Sequence, residues 1–516
     1  MKSLLLLSCL PLLAADYDVL IRNARIIDGS GAAAYNADIG IQAGKIAKIG
    51  SLKSATATRE IDASGRVVSP GFIDVHTHAE SGIVLRPQAE NFLRDGVTTL
   101  VTGNCGGSEL DLKSFFSKLG ASKLGPNLAT FIGHNSVRVE VMGSHDRQAT
   151  PEELEKMKAI VARAMEAGAV GFSTGLEYVP GMYAKTGEIV ELAKVAAKYN
   201  GIYASHMRDE GDEVMQAITE ALEIGRQAGL PVEISHLKQD TKAYWGNTQK
   251  MIDLIEKYRA EGVRATADQY PYIAYSTGLG TTLPRWSLSG GQEELKKRLA
   301  DPATRKKIFD ETLDFNKKRG YDDFEYTTVA ACRFEPKYIG KNIREISLMN
   351  GKKATHESDV ETVLELMERG GVSVVTKAMS ETDVANIMRY KNTSIASDGG
   401  VQEFGAGRPH PRSYGTNARV IHEYVETRKV LKLEDAIRKM TSLPASAMGF
   451  KDRGLVKEGL AADLVVFDPA AVRDNATFEQ PHQYSSGFDF VLVNGKISVE
   501  KGSLSAERGG QVLLRQ

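Results

Sequence analysis

The sequence predicts an α/β protein, a (β/α)₈ barrel of the TIM type with a small β domain formed by both ends of the chain. Two observations predict the barrel. The middle of the chain alternates short apolar runs with amphipathic helices, and reactive polar side chains close most of the runs. A barrel explains both, because its reactive residues gather where its parallel strands end. The eight runs are residues 71–75, 98–102, 128–132, 169–173, 201–205, 231–235, 263–267 and 394–397.

Strand patterns at both termini predict the second domain. Short runs between Gly-rich turns fill the first part of the chain, and similar runs return near its end. There Asn494-Gly495 is a strong signal for a two-residue hairpin. We therefore expect residues 16–67 and 451–516 to form one small β domain, with the barrel, residues 68–450, inserted between them.

The helices between the runs carry recognisable boundary signals. Thr150 and Glu153 form a capping box at the start of one helix, and Gly168 suits its end. Helical spacing then defines its buried stripe. The stripe is Leu154, Met157, Val161 and Met165. The alternative to a barrel for such a strand and helix pattern is a doubly wound open sheet.

One connection is too long for a simple loop. Residues 285–390 separate the seventh and eighth runs and contain charged helical stretches and two extended apolar runs. We expect an insertion over the barrel mouth that helps to shape the substrate site. Cys332 falls in one of its apolar runs and is predicted to be a core residue.

Composition and charge favour a small-molecule partner. The 516 residues contain 65 Lys and Arg against 66 Asp and Glu, a formal net charge of −1. No overall field therefore recruits nucleic acid or an anionic membrane. With three cysteines in the chain, there is little room for a disulfide framework.

The first fifteen residues predict export. One lysine, a short apolar core and two small residues before Asp16 are typical of a secretory signal peptide, and the core is too short to span a membrane. The mature protein is therefore expected to be secreted or periplasmic, without a membrane partner. Lipidation at Cys9 is the alternative, because Leu6-Leu-Ser-Cys9 loosely resembles a lipoprotein signal.

Potential metal ligands close the barrel runs. His76 and His78 follow the first run and share a face, because alternate side chains of a strand point the same way. A thiolate and two imidazoles would fill three positions of a tetrahedral Zn²⁺ and leave the fourth for water, as in catalytic sites. Each ligand alone could be an ordinary buried residue, but six at one barrel mouth indicate a metal centre. The other candidates are Cys105, His206, His236 and Asp398, after the second, fifth, sixth and eighth runs.

At these residues the sequence resembles the amidohydrolase superfamily, and within it the N-acyl-D-amino-acid deacylases. The resemblance spans nearly the whole mature chain. The cysteine after the second run and the Asp-x-Tyr-Pro-Tyr element are typical of the deacylase branch. The motifs are Pro70-Gly-Phe-Ile-Asp-Val-His-Thr-His78, Gly103-Asn-Cys-Gly106, Gly171-Phe-Ser-Thr-Gly-Leu-Glu-Tyr178, Ser205-His206, Ser235-His-Leu-Lys238, Asp268-Gln-Tyr-Pro-Tyr272 and Ala396-Ser-Asp398.

The resemblance implies one tight zinc site and a weaker second one. Cys105, His206 and His236 would bind the tight zinc, whereas His76, His78 and Asp398 would surround the weaker position. The fourth run ends at Ser173 and lacks the lysine that is carbamylated to bridge two metals in many relatives. This departure puts full occupancy by two metals in doubt.

The implied reaction is hydrolysis of a linear amide, with Asp398 taking the proton of the attacking water and returning it to the leaving amine. The substrate would be an N-acyl-D-amino acid, whose carboxylate needs a partner. Lys238 and Tyr272 are the first candidates for this contact, and Arg285 and Arg412 are weaker ones.

Two other functions remain open. A cyclic amide hydrolase of the hydantoinase or dihydroorotase type is the nearer one, although such enzymes usually need the bridging lysine. A zinc-binding protein without catalysis is the more distant one. Within the deacylase hypothesis, the uncharged stretch 273–284 predicts a preference for neutral, apolar side chains, which would lie against Leu279 or Leu283. Arg285 lies just beyond it and could instead pair with an acidic side chain.

Overall fold

The computed structural model of the protein describes residues 15–515. The expected signal peptide and Cys9 fall in residues 1–14 and lie outside this part of the chain. Within the described residues, no helix has the length and apolar character needed to cross a membrane.

Five strands open the described chain. They are β1 (Tyr17–Ile26), β2 (Tyr35–Gln42), β3 (Lys45–Gly50), β4 (Ala57–Asp62) and β5 (Val67–Pro70). An antiparallel meander joins β1, β2 and β3, while β4 and β5 run parallel to β1. Their apolar side chains alternate toward a core of their own, which explains the pattern seen in the sequence.

Eight parallel barrel strands follow, the third of them divided at Phe131 into β8 and β9. The strands are β6 (Phe72–Asp74), β7 (Val97–Thr102), β8 (Asn127–Thr130), β9 (Ile132–Gly133), β10 (Gly171–Gly175), β11 (Ile202–His206), β12 (Val232–Ile234), β13 (Ala265–Gln269) and β17 (Thr393–Ile395). A parallel bridge between Thr77 and Gly399 joins the first barrel strand to the last. The predicted barrel is thereby confirmed, because a doubly wound open sheet would leave these two strands as free edges.

Eight helices connect the barrel strands as far as β13. They are α1 (Glu80–Leu85), α2 (Glu90–Leu93), α3 (Leu112–Ala121), α4 (His134–Met142), α5 (Pro151–Glu166), α6 (Thr186–Ala197), α7 (Val214–Ala228) and α8 (Thr248–Ala260). The capping box of α5 is confirmed, since Thr150 and Glu153 each accept the other's backbone N–H. In its stripe Met157, Val161 and Met165 are buried, whereas Leu154 is only half-buried.

An insertion with its own core lies between β13 and β17. Its elements are β14 (Ala274–Gly278), α9 (Gln292–Ala300), α10 (Pro302–Lys318), β15 (Thr327–Ala331), α11 (Ile343–Met349), α12 (His356–Glu368) and β16 (Ser373–Lys377), and α13 (Glu381–Arg389) leads back to the barrel. Cys332 is buried in that core, as predicted. The excursion begins at Ala274, ahead of the expected residue 285, because β14 pairs with β16 rather than with the barrel.

The C-terminal part contributes helices to the barrel and strands to the small β domain. It contains α14 (Arg412–Arg419), a π-helical segment (Val420–Thr427), α15 (Leu433–Met440), α16 (Ser442–Met448), β18 (Leu464–Phe467), β19 (Phe488–Val493), β20 (Lys496–Glu500) and β21 (Ser503–Leu504). The pairing of β18 with β5 unites strands from both ends of the chain in one nine-stranded sheet. Asn494 and Gly495, both with positive φ, form the turn of the predicted hairpin. The last residues return to the barrel, where Leu128 donates to Gln511 O.

A buried lysine makes the stability of the barrel depend on pH. Lys439 on α15 is 2% exposed, and burial lowers its pKa from 10.5 to about 7. Folding therefore releases a proton between these pH values, so stability should rise with pH through this window by roughly 1.4 kcal/mol per unit of pKa shift. The Lys439→Met variant lacks this dependence.

Urea unfolding of both proteins at pH 7, 8.5 and 10 measures the effect. The free energy of unfolding of the wild type should increase relative to that of the variant at each step. A difference between the two proteins that stays constant across the window would contradict the assignment.

Candidate metal centre and active site

The predicted metal ligands lie together at the carboxyl ends of the barrel strands. Three of them, Cys105, His236 and Asp398, have positive φ values of 52°, 35° and 51°. Such conformations are costly for residues other than glycine and persist where the surroundings hold them, often at functional sites. The sharp turns after β7, β12 and β17 thus direct these side chains to one place.

Cys105, His206 and His236 have the spacing of a three-ligand zinc site. Cys105 Sγ lies 3.7 Å from His206 Nδ1 and 3.6 Å from His236 Nε2. Tetrahedral Zn²⁺ with ordinary bond lengths separates sulfur and nitrogen ligands by about 3.6 Å. The two ring nitrogens are 2.8 Å apart and need to separate by only about 0.5 Å to reach tetrahedral spacing.

The outward nitrogens of both histidines face carboxylates. His206 Nε2 lies 2.8 Å from Glu177 Oε2, and His236 Nδ1 lies 2.8 Å from Glu210 Oε1. At His206 the carboxylate of Glu177 can accept the far N–H, which fixes the tautomer and leaves Nδ1 free for a metal. Burial and the neighbouring Lys238 lower the pKa of His236 to about 4, so this imidazole is neutral, as a metal ligand must be.

A half-buried thiol among carboxylates also fits a cation. Burial raises the pKa of the Cys105 thiol well above its usual value, and the charges of Asp398 and Glu210 add to this effect. A metal ion in the midst of these groups would reverse it, because a coordinated thiol is deprotonated. The donor set therefore suits zinc chemically as well as geometrically.

A second cluster shares Cys105 with the first. His76, His78, Cys105 and Asp398 each place one ligand atom within 4.8 Å of the others. His76 Nδ1 is 3.3 Å from Asp268, which gives this ring a carboxylate partner like those of the other two histidines. His78 is different, because its side chain is 40% exposed and its contact at 3.0 Å is with Asp398 itself.

Asp398 is an ionised carboxylate at the edge of both clusters. Arg412 Nη1 lies 2.8 Å from Asp398 Oδ2, while the other oxygen faces His78. Although burial opposes ionisation, Arg412 and His78 hold the pKa of Asp398 well below its usual value. The group can therefore accept a proton at neutral pH.

The clusters open into a cavity of about 290 Å³. Tyr178 lies in its wall with its ring 4.4 Å from that of His206. Because Thr277 Oγ1 donates to Tyr178 Oη, the phenol keeps its own proton for a ligand. Other lining residues are His78, Asn104, Cys105, Glu177, Glu210, His236, Lys238, Asp240, Tyr270, Tyr275, Ser276, Thr281 and Asp398.

Of the four predicted substrate contacts, the structure places only Lys238 in the cavity wall. Lys238 Nζ donates to Glu210 Oε2 at 2.6 Å and lies 2.9 Å from His236 Nδ1. Arg412 is buried against Asp398, with its guanidinium 4.7 Å from the centre of the Tyr270 ring. It therefore contacts the site through Asp398 rather than through the cavity.

Tyr272 does not reach the cavity, contrary to the prediction. Its ring is buried, 5.0 Å from that of His410 and beneath the guanidinium of Arg419. The backbone N–H of Tyr272 donates to Tyr270 O, an i→i+2 turn that reverses the chain after β13. The prediction assumed that side chains keep alternating between two faces as in a continuous strand. The turn ends this alternation, and Tyr270 rather than Tyr272 lines the cavity.

Arg285 also lies outside the catalytic cavity. Its side chain is 45% exposed, and Nη2 donates to Arg208 O at 2.8 Å. It begins a short 3₁₀ turn of the insertion and lines a neighbouring cavity of about 280 Å³. Glu177, Glu210 and Thr281 line both cavities. Arg285 therefore lines the adjoining cavity and not the one that contains the metal ligands.

Several residues that line the cavity were not predicted from the sequence, and four of them lie against a metal ligand or Lys238. These are Glu177, Tyr178, Glu210 and Tyr270. Glu177 and Tyr178 are the last two residues of the Gly171 to Tyr178 motif, and Glu210 follows His206 by four residues. Because metal-binding histidines usually have a carboxylate partner, these acidic residues could have been proposed as such partners from the sequence.

The two tyrosines of the turn after β13 provide a matched test. If Tyr270 donates to the bound substrate, Tyr270→Phe should raise KM about tenfold, the effect of roughly one hydrogen bond to a charged group. Tyr272→Phe removes an equally buried hydroxyl away from the cavity and should change KM less than twofold. Steady-state kinetics of both variants gives the comparison, and the opposite ranking would restore Tyr272 as the contact.

A closed barrel with a thiol, imidazoles and a carboxylate at its strand ends defines a metal-dependent barrel hydrolase. A sequence profile described as the amidohydrolase family matches residues 59–281 and 349–499. The chain therefore belongs to the amidohydrolase family, and it is a metal-dependent enzyme of that family.

Three relatives cover nearly the whole chain. The D-aminoacylase of Alcaligenes xylosoxydans xylosoxydans is 34% identical, with 97% of this chain and 98% of that protein aligned. The N-acyl-D-glutamate deacylase of the same organism is also 34% identical, with 96% of each chain aligned. The crystal structure of the N-acyl-D-glutamate deacylase of Bordetella bronchiseptica, complexed with zinc and a phosphonate inhibitor, has a TM-score of 0.83 at 32% identity, over 97% of this chain and 100% of that one.

Proposed function

We propose that this enzyme hydrolyses the amide bond of N-acyl-D-amino acids and releases a carboxylate and a free D-amino acid. One observation carries the proposal, namely that an open three-ligand site, an ionised Asp398 and the cation of Lys238 meet at one cavity. The relatives named above support it. They align with nearly the whole chain, and their names describe deacylation of D-amino acid derivatives.

The metal would be zinc, with one tight site at Cys105, His206 and His236. A second, weaker position would lie between His76, His78 and Asp398. Exposure supports the ranking, because His78 is partly open to solvent whereas both histidines of the first site are buried. Zinc in the first site would polarise the amide carbonyl and acidify a water molecule.

Each residue around the metal would have a separate role in hydrolysis. Asp398 accepts the proton of the attacking water, and Arg412 keeps it ionised until then. The same carboxyl returns the proton to the leaving amine. Tyr178 donates to the carbonyl oxygen as negative charge develops on it, with Thr277 orienting the phenol.

The carboxylate of the substrate would lie against Lys238 and Tyr270. The ammonium supplies the charge and the phenol a hydrogen bond, and both line the same cavity. Glu210 shares the ammonium, so Lys238 is held in place before substrate binds rather than drawn from solvent. Its fixed position lowers the entropic cost of forming the contact.

Release of free amine tests the reaction class directly. Zinc-loaded protein should liberate amine from N-acetyl-D-leucine, and removal of zinc with a chelator should abolish the activity until zinc is restored. Dihydrouracil and hydantoin distinguish the cyclic amide alternative. Efficient opening of either ring without deacylation would overturn the proposal, and zinc binding with neither activity would favour the non-catalytic alternative.

We further propose a preference for neutral, apolar D-amino acids. Carboxylates outnumber basic side chains in the walls of the cavity and its neighbour, which disfavours another negative charge. The carboxylates are those of Glu177, Asp209, Glu210, Asp240, Glu311, Asp314 and Asp398, against the cations of Lys238, Arg285, Lys318 and Arg319. Leu283 lines the neighbouring cavity, whereas Leu279 is fully buried and cannot contact a substrate. The relatives include enzymes named for both general and acidic substrates, so the preference needs its own test.

Specificity constants for N-acetyl-D-leucine, N-acetyl-D-methionine and N-acetyl-D-glutamate test this preference. The two neutral substrates should exceed the glutamate derivative by roughly tenfold to a hundredfold, because an acidic side chain would lose hydration without gaining a partner. Arg285→Ala should leave this order unchanged. If glutamate ranks first and loses that rank in Arg285→Ala, then the arginine reads the side chain and the preference is reversed.

Export remains a proposal that follows from the sequence alone. Residues 1–15 would be removed as a signal peptide, placing the mature enzyme in the periplasm or outside the cell. Lipidation at Cys9 is the alternative. N-terminal sequencing of the protein from fractionated cells distinguishes them, and recovery of intact chains beginning at Met1 in the cytoplasm would contradict both.

A further inference from the structure

Ser173 of β10 binds the turn that carries Cys105. The side chain is fully buried, and its hydroxyl donates to Gly103 O and accepts from Gly106 N at 3.2 Å. One hydroxyl thus bridges both ends of the four-residue turn from Gly103 to Gly106. Cys105, the predicted metal ligand, is the third residue of this turn.

The turn depends on such external support because its own conformation is strained. Gly103, Cys105 and Gly106 have φ values of 77°, 52° and 75°, all in the left-handed region. Two glycines tolerate this region, but Cys105 does not favour it. A non-glycine residue keeps such a conformation only where the surrounding structure determines it.

The turn also packs directly on helix α4 and strand β10. A Cβ atom at Gly106 would lie 2.2 Å from Asn135 Oδ1, and one at Gly175 would lie 2.1 Å from Cys105 O. Ser173 lies fully buried against this closely packed turn. Its hydroxyl is placed to bond to both ends of the turn.

We propose that Ser173 is a positioning residue that holds the thiol of Cys105 at the metal. The hydroxyl acts through the turn and touches neither metal nor substrate. It accounts for the absence of a lysine in β10, because the turn carrying Cys105 occupies the space above the strand. The inference rests on the proposed zinc site and is independent of the substrate.

Zinc affinity and cobalt spectra of the holoenzyme test this role. Ser173→Ala should bind zinc about tenfold to a hundredfold more weakly, the range for residues that orient metal ligands, as measured by competition with a chromophoric chelator. With Co²⁺ in place of zinc, the thiolate-to-metal charge-transfer band should weaken. The control is Ser347→Ala, which removes an equally buried hydroxyl of α11 in the insertion that is bonded to Ile343 O and Thr362, and it should change neither reading.

A second variant separates positioning from general loss of structure. Ser173→Thr keeps the hydroxyl and should keep both the affinity and the charge-transfer band. Wild-type zinc affinity with an unchanged band in Ser173→Ala would overturn the proposal. If Ser173→Ala does not fold, loss of the band in a folded Ser173→Thr would overturn it instead. A wild-type protein that binds no zinc would contradict the metal site itself, which distinguishes the two failures.

Discussion

Cys105→Ala should lose tight zinc binding and amide hydrolysis together. The substitution removes one of three ligand atoms, and it does so where the sulfur lies 3.7 and 3.6 Å from its two nitrogen partners. Changes to residues that merely orient ligands cost tenfold to a hundredfold in metal affinity, so loss of a ligand should cost more than about a hundredfold. His236→Ala should behave in the same way for the same reason.

Cys332→Ala is the matched control for this substitution. Cys332 is the other free cysteine of the described residues, and it lies buried in the core of the insertion. Its variant should bind one equivalent of zinc as tightly as the wild type, even if its stability falls. Metal analysis after dialysis gives the comparison. Stoichiometric, tightly held zinc in both Cys105→Ala and His236→Ala would contradict the ligand assignment.

Asp398→Asn should retain zinc but hydrolyse its substrate at least about a hundredfold more slowly, in the range for general acid and base groups. The amide keeps the shape of the side chain and its contact with His78, yet it cannot accept the proton of the attacking water. Because the effect is on proton transfer, it should appear mainly in kcat rather than in KM.

Asp463→Asn provides the control. Asp463 is likewise buried and paired with an arginine, Arg453, but it lies in the small β domain. Folded Asp463→Asn protein should hydrolyse the substrate at nearly the wild-type rate per zinc bound. Near-normal turnover by Asp398→Asn at neutral pH would show that another group moves the proton.

The barrel could be predicted because each strand leaves a local signal. All eight apolar runs overlap a barrel strand, and the residues that close them meet at one mouth. The strand positions were shifted by a few residues, since apolar character does not mark where pairing begins. Strand patterns at both termini predicted one common β domain, and the structure unites them through the pairing of β5 with β18, which the sequence did not specify.

The missed features depend on contacts between distant segments. Strand β14 pairs with β16 about a hundred residues later, so its short polar sequence gave no sign that the insertion had begun. Tyr270 lines the cavity in place of the predicted Tyr272 because of a turn after β13 that is closed by one backbone hydrogen bond. Glu177 and Glu210 follow the strands in irregular segments, where side-chain direction cannot be derived from a period of two.

Zinc-edge X-ray absorption of protein with one equivalent of zinc tests the central claim most directly. The structure predicts one sulfur neighbour at about 2.3 Å, with the remaining neighbours being nitrogen or oxygen at about 2.0 to 2.1 Å. Cys105→Ala should remove the sulfur shell, whereas Cys332→Ala should leave it intact. A wild-type spectrum with only nitrogen and oxygen neighbours would show that the first zinc binds elsewhere and would contradict a catalytic site at Cys105, His206 and His236.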